Sequence, residues 1–268
     1  MTKKYEFTNE TRCVAGHTLH RIKAIRDFAD VKTGDLGGFI EKESNLSHDG
    51  NCWVYDNATV FWEAVVSDNA KIHDNACINR NAKVYGNAVV NDDAWVFGAN
   101  AHVYGNAKIL GSARIDWAAH VYDNAVVSDN VYVCYLVKIF GNAHVYGNVY
   151  GYAHVSYDAT VFSYARVYGR AIVAGSARIH SYAKVYNYAF INGRAKIHGK
   201  VYGGALVGGC AEIYGSVFGN AKVLFYTKVW GRAYGNAKLT KKSKVKEVPI
   251  NYEVYESDNL VKIVDETE

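Results

Sequence analysis

A β-branched residue returns every six positions through most of this chain, and few folds can satisfy that spacing. The series runs Val54, Val60, Val66, Ile72, Ile78, Val84, Val90 and Val96, takes one extra residue near Ala99, and resumes at Val103. Followed to Leu239 it has 33 members, of which 31 are Val or Ile. An Ala stands two places before most of them, as in Asn81-Ala-Lys-Val-Tyr-Gly86. Residues two apart on a strand share a face, so Ala and Val point inward together and their neighbours point out. Gly-Asn follows, a pair that tolerates positive φ and so turns a corner. Burying each Val or Ile contributes about 1.5–3 kcal/mol, but a six-residue unit has nothing of its own to bury against. Stacked coils supply the missing wall, so the expected fold is a solenoid.

The exceptions to the spacing are informative. Four steps are four residues long: Val145 to Val149, Ile197 to Val201, Ile213 to Val217 and Val229 to Ala233. Removing two residues keeps the inward and outward order, whereas removing one would reverse it. If three units make a coil, all four short steps fall on the same wall. The expected architecture is all-β, a single-stranded parallel β-helix of about 11 three-walled coils with small terminal caps. Residues 1–50 are expected to form an N-terminal β cap, 51–240 the solenoid and 241–268 a C-terminal cap. The last contains a hairpin built from Tyr252-Glu-Val-Tyr-Glu and Leu260-Val-Lys-Ile-Val. Within Asn130–Ile139, Val131 and Val137 stand where Ala is usual, which fits either a widened coil or a slipped register.

A formal net charge of +4 is compatible with a polyanionic partner and argues against an acidic mimic of nucleic acid. Five cysteines without a Cys-x-x-Cys pair argue against a disulfide framework or a structural zinc, so no metal site is expected and a reducing cytoplasm is. The opening Met-Thr-Lys-Lys-Tyr-Glu-Phe lacks the apolar run of a secretion signal. No stretch is apolar for the roughly 18 residues a membrane span needs.

The spacing aliphatic-x-x-x-small-x resembles the hexapeptide repeat of left-handed parallel β-helix proteins over about residues 52–240. The segments Leu36-Gly-Gly-Phe-Ile and Asn51-Cys-Trp-Val-Tyr-Asp-Asn-Ala, with the repeated Val-Tyr-Gly-Asn-Ala, are similar to those of a group of bacterial and phage repeat proteins. Some of these carry an acetyltransferase name by fold analogy, and fold alone does not fix function. The resemblance implies a left-handed coil. It also implies an alternative activity, a hexapeptide acyltransferase that forms trimers, uses acyl-CoA and has a His as general base. Under that alternative His102 and His120, stacked on one wall beside Tyr104 and Tyr122, are the catalytic candidates. No inserted loop accompanies them, and outside the alternative neither a catalytic residue nor a cofactor is expected.

Outward residues form a more telling pattern. On the wall with the short steps, Tyr150, Tyr168, Tyr186, Tyr202, Phe218 and Tyr234 fall in six consecutive coils. Arg166, Lys184, Lys200 and Arg232 run beside them. On another wall Tyr85, Tyr104, Tyr122 and Phe140 align. The expected function is a non-catalytic structural or binding solenoid that uses these ladders for self-assembly, as a dimer or trimer, or for a protein partner. Single-stranded nucleic acid or a polysaccharide is the further alternative.

Overall fold

The computed structural model describes residues 2–263, and the chain divides into two compact units, residues 1–141 and 142–268. It is all-β and mostly parallel, a solenoid of about 12 turns. Most repeats supply a two-residue strand that ends on its Val or Ile, and that strand pairs with the third strand onward. In the first unit one ladder joins Val54, Ile72, Val90, Ile109 and Val127. A second joins Ile40, Val60, Ile78, Val96, Ile115 and Val133. A third joins Val66, Val84, Val103, Val121 and Ile139. In the second unit the first ladder runs from Val145 to Val248. The second there runs from Val149 to Val254, and the third from Val155 to Leu239. These residues and the Ala two places before them are fully buried. The core of each unit is thus a column of small and branched side chains.

The corners differ between the units. In the first, Asp takes left-handed backbone at Asp56, Asp74 and Asp92. The Asp56 carboxylate accepts the Asp74 N–H at 3.2 Å, Asp74 that of Asp92 at 3.3 Å, and Asp92 that of Gly111 at 2.7 Å. Side-chain amides form a second chain, with Asn69 donating to Asn87, Asn87 to Asn106 and Asn106 to Asn124 at 2.9–3.0 Å. In the second unit the four short steps all lead from the first ladder to the second. Each passes through a glycine that is needed for closeness, not for positive φ. A Cβ on Gly199 would lie 1.9 Å from the Gly215 carbonyl oxygen, and one on Gly215 would lie 2.0 Å from that of Gly231.

The first unit begins with a cap. Strands β1 (Tyr5–Val14) and β2 (His17–Ala24) form an antiparallel hairpin. Its two turn residues, Ala15 and Gly16, both have positive φ, as a tight right-twisted hairpin requires. Strand β3 (Leu36–Ile40) pairs antiparallel with β2 and parallel with Thr59–Val60, which turns the hairpin into the first rung. A Cβ at Gly38 would meet the Ala58 carbonyl oxygen at 2.5 Å, so the Gly-Gly of this segment lets the cap close on the coil.

Register continues through the irregular coil. Ile115 pairs with Val133 and Val121 with Ile139, while Val131 and Val137 are buried in the places Ala usually fills. Tyr252–Ser257 pairs antiparallel with Leu260–Lys262, and Val264, in the stretch read as the second hairpin strand, lies outside the described residues. Beyond Val229 the first ladder gains one more rung at Val248. The lysine-rich run before it hides that rung from the repeat pattern. Among the described residues no helix is long and apolar enough to cross a membrane.

Candidate functional site

The aromatic ladder of the second unit forms as the spacing implies. Tyr150, Tyr168, Tyr186, Tyr202, Phe218 and Tyr234 stack with centroids 4.8–5.0 Å apart and planes within 10° of parallel. The strand spacing sets this distance, and each offset pair adds about 0.5–1.5 kcal/mol. Because every inner ring is covered on both faces by its neighbours, the ladder presents edges and hydroxyls, not π faces. The Tyr168, Tyr186 and Tyr202 hydroxyls make no hydrogen bond among the described residues, whereas Tyr234 donates to Glu253 at 3.0 Å. Burial, and then the neighbouring phenols, push the Tyr186 pKa up.

The basic residues occupy the adjacent outward row. Arg166 is paired in register with Lys184, Lys184 with Lys200, Lys200 with Ser216 and Ser216 with Arg232. Like charges on directly opposed positions destabilise a sheet. Nevertheless, no carboxylate pairs with Arg166, Lys184, Lys200 or Arg232 among the described residues. Arg232 and Lys262 line a cleft of about 600 Å³ beside the C-terminal hairpin. The imbalance extends beyond this row. Residues 142–240 hold 11 Lys and Arg against two carboxylates, Asp158 and Glu212, whereas residues 51–141 hold six against nine. Glu212 already pairs with Lys196 at 2.9 Å, a contact that holds its carboxyl below the usual range.

Sequence reasoning missed the corners that border this row. Two consecutive first-to-second corners of the second unit, Phe162–Arg166 and His180–Lys184, are full-length turns, and the coils on either side use the four-residue step. In the other six-residue steps between Val54 and Leu239 the left-handed residue is the second after the Val or Ile, as at Gly86 or Asp92. Here it is the third, Tyr164 (φ +66°) and Tyr182 (φ +67°). The bonds from Ala165 N–H to the Phe162 carbonyl (3.1 Å) and from Ala183 N–H to that of His180 (3.0 Å) close the turns. That is the position where a tight turn ordinarily takes Gly or Asn. Left-handed backbone costs a tyrosine about 1–2 kcal/mol, and the pair recovers part of it by stacking at 5.3 Å and 6°. The two rings are 69% and 74% exposed. On the next corner Arg170 stands between Tyr152 and Tyr188, its guanidinium 5.4 and 5.7 Å from their centroids. The signal for the Tyr164–Tyr182 ridge was in the sequence, as two full-length steps between short ones.

In the first unit Tyr85, Tyr104, Tyr122 and Phe140 stack at 4.9–5.1 Å. His102 and His120 stack beside them at 4.8 Å and 8°. Burial lowers the pKa of both rings, helped by His120 and Lys83 around His102 and by Lys138 near His120. Neither imidazole hydrogen-bonds to a carboxylate among the described residues. A cleft of about 480 Å³ lies between the hairpin tip (Arg12, Val14) and Phe61, Trp62, Trp95 and Phe97. It exists because Cys77 and Asn79 occupy the rung between the larger side chains. The five cysteines form no disulfide. Among the described residues no group of three His, Cys, Asp or Glu side chains is placed to hold a metal.

Comparison with known proteins agrees with the repeat. A family model described as the YdcK β-solenoid repeat matches residues 82–98 and 165–181, one stretch in each unit. An Escherichia coli (strain K12) protein named "Uncharacterized acetyltransferase YdcK" is 40% identical over 74 residues, 24% of this chain. The match covers 23% of that relative, so the chain spans about a quarter of its length. This chain, which displays stacked aromatic and charged side chains in rows, is a β-solenoid repeat protein related to the YdcK family.

Proposed function

We propose that the chain is a non-catalytic binding solenoid, a left-handed, hexapeptide-type coil with three walls, whose second unit holds an elongated anionic partner. One observation carries this reading: Arg166, Lys184 and Lys200 occupy successive rungs with no carboxylate partner among the described residues. A row of like charges about 4.8 Å apart is costly in isolation and is relieved by a chain of anions laid along it. Edge-on tyrosine hydroxyls beside the row supply hydrogen bonds to the same groups. Pairing this face with a second copy would set cation against cation, so a dimer or trimer would have to bury a different face.

The acyltransferase alternative rests on the relative's name and on His102 and His120. A general base needs an orienting partner and a pocket, and each of these rings instead stacks on the other with lysines nearby. The geometry therefore favours binding over acyl transfer, and calorimetric titration with acetyl-CoA tests that preference. Heat of a saturable site, lost in His102→Ala, would reverse it. For the anionic partner the test is long-chain polyphosphate, which has charge but no rings. The intact chain should bind it, and Arg166→Glu/Lys184→Glu/Lys200→Glu should weaken binding by about 100-fold or more. Equal binding by both proteins would sink the proposal.

A further inference from the structure

The geometry points to single-stranded nucleic acid as that anionic partner, with its bases stacked on the outer faces of the Tyr164–Tyr182 pair and its phosphates along Arg166, Lys184 and Lys200. This inference rests on the binding reading above and names the partner. The long tyrosine ladder cannot receive bases, because its ring faces are spent on one another. Tyr164 and Tyr182 are different. The coil before Tyr164 and the coil after Tyr182 turn this corner by the four-residue steps at Gly147 and Gly199, two residues shorter, and both rings stay largely exposed. Each stacks on the other and on no further aromatic ring or cation among the described residues.

The backbone strengthens the case. Trp62, Trp117, Tyr135, Tyr157 and Phe225 also take left-handed backbone, but as the second residue after the Val or Ile; Tyr164 and Tyr182 take it as the third, beside the basic row. Holding two largely exposed rings there costs backbone energy, a pattern that marks binding sites. Two residues along the chain from each ring lies a cation, Arg166 or Lys184, and Lys200 follows on the next rung. Open π faces interleaved with cations form the arrangement that binds single strands without sequence preference. A polymer with charge alone would use the cations and leave the rings idle.

Fluorescence anisotropy with a labelled oligothymidylate of about 20 nucleotides and an abasic oligomer of equal length tests this directly. The intact chain should bind the oligothymidylate at least about tenfold more tightly than the abasic strand, the loss expected from removing one or two stacked bases. Tyr164→Gly/Tyr182→Gly should erase that difference, leave abasic binding unchanged, and unfold at the same or a higher temperature because the backbone strain is gone. Tyr164→Phe/Tyr182→Phe should keep the difference. Equal affinity of the intact chain for both strands, or discrimination that survives the glycine pair, would overturn the inference. So would tighter binding of heparin than of oligothymidylate, which would make the partner an anionic polysaccharide. If neither oligomer binds, the failure belongs to the anionic-partner reading itself.

Discussion

The two units are built on the same repeat and hold their corners by different means. The first unit secures them with side chains: Asp carboxylates accept turn N–H groups from the next coil, and Asn amides link coil to coil. Its acidic groups are therefore largely occupied in holding the fold. The second unit closes one corner through glycines packed against the carbonyls of the next coil. It carries few acids, and Arg166, Lys184, Lys200 and Arg232 stand beside an aromatic ladder with no carboxylate partner among the described residues. The contrast suggests that corner chemistry decides which unit has charge to spare for a partner. One unit uses most of its carboxylates internally, and the other has few carboxylates to set against its cations.

The contrast can be broken most forcefully at the corners. Gly215→Ala would place a methyl 2.0 Å from a carbonyl oxygen that cannot move without shifting its whole coil. It should cost about 3 kcal/mol or more in urea unfolding. Asp74→Gly in the first unit removes one hydrogen bond while relieving left-handed backbone at the same residue. These effects oppose, so the change should stay within about 1 kcal/mol. Equal losses at the two sites would show that the corners are not held differently.

A smaller effect is expected along the amide chain. Asn106→Ala breaks bonds to both Asn87 and Asn124 and should cost about 1–2 kcal/mol, since each exposed bond contributes about 0.5–1. The smallest effect is on pH. Burial lowers the pKa of His102, His120, His180 and His198 in the folded chain. The unfolded chain therefore takes up protons first as pH falls through about 6.5. Stability is full above that pH and declines below it. Lys83 and Lys138 face the first pair and oppose protonation, whereas Glu212 favours it in the second, against Arg178 and Lys196. His102→Tyr/His120→Tyr should thus flatten the acid loss in unfolding midpoint more than His180→Tyr/His198→Tyr does.

Much of the fold was legible because each repeat reports its own inward and outward order. Val54 to Leu239 can be placed on ladders by counting, and the six-ring stack from Tyr150 to Tyr234 follows from that count. What could not be counted was hidden for physical reasons. Val248 joins the first ladder after a lysine-rich run that carries no repeat. Val131 and Val137 keep register because the core takes Val where Ala is usual, which is a matter of space, not pattern. Spacing marks the Tyr164–Tyr182 corners as two full-length steps between short ones, but which turn residue takes positive φ there is not written in the spacing. The cleft beside Trp62 and Trp95 depends on a hairpin packing against residues that come well after it in sequence.

Arg166, Lys184 and Lys200 stand without a carboxylate partner among the described residues, and the salt dependence of oligothymidylate binding measures them most directly. Each single-strand phosphate neutralised contributes about −0.7 to the slope of log K against log salt. Arg166→Glu/Lys184→Glu/Lys200→Glu should therefore make the slope shallower by about 2. The matching first-unit change, Lys83→Glu/Lys108→Glu/Lys138→Glu, should leave it as it was. A slope unmoved by the first set, or moved equally by both, would contradict the assignment of the binding face to the second unit.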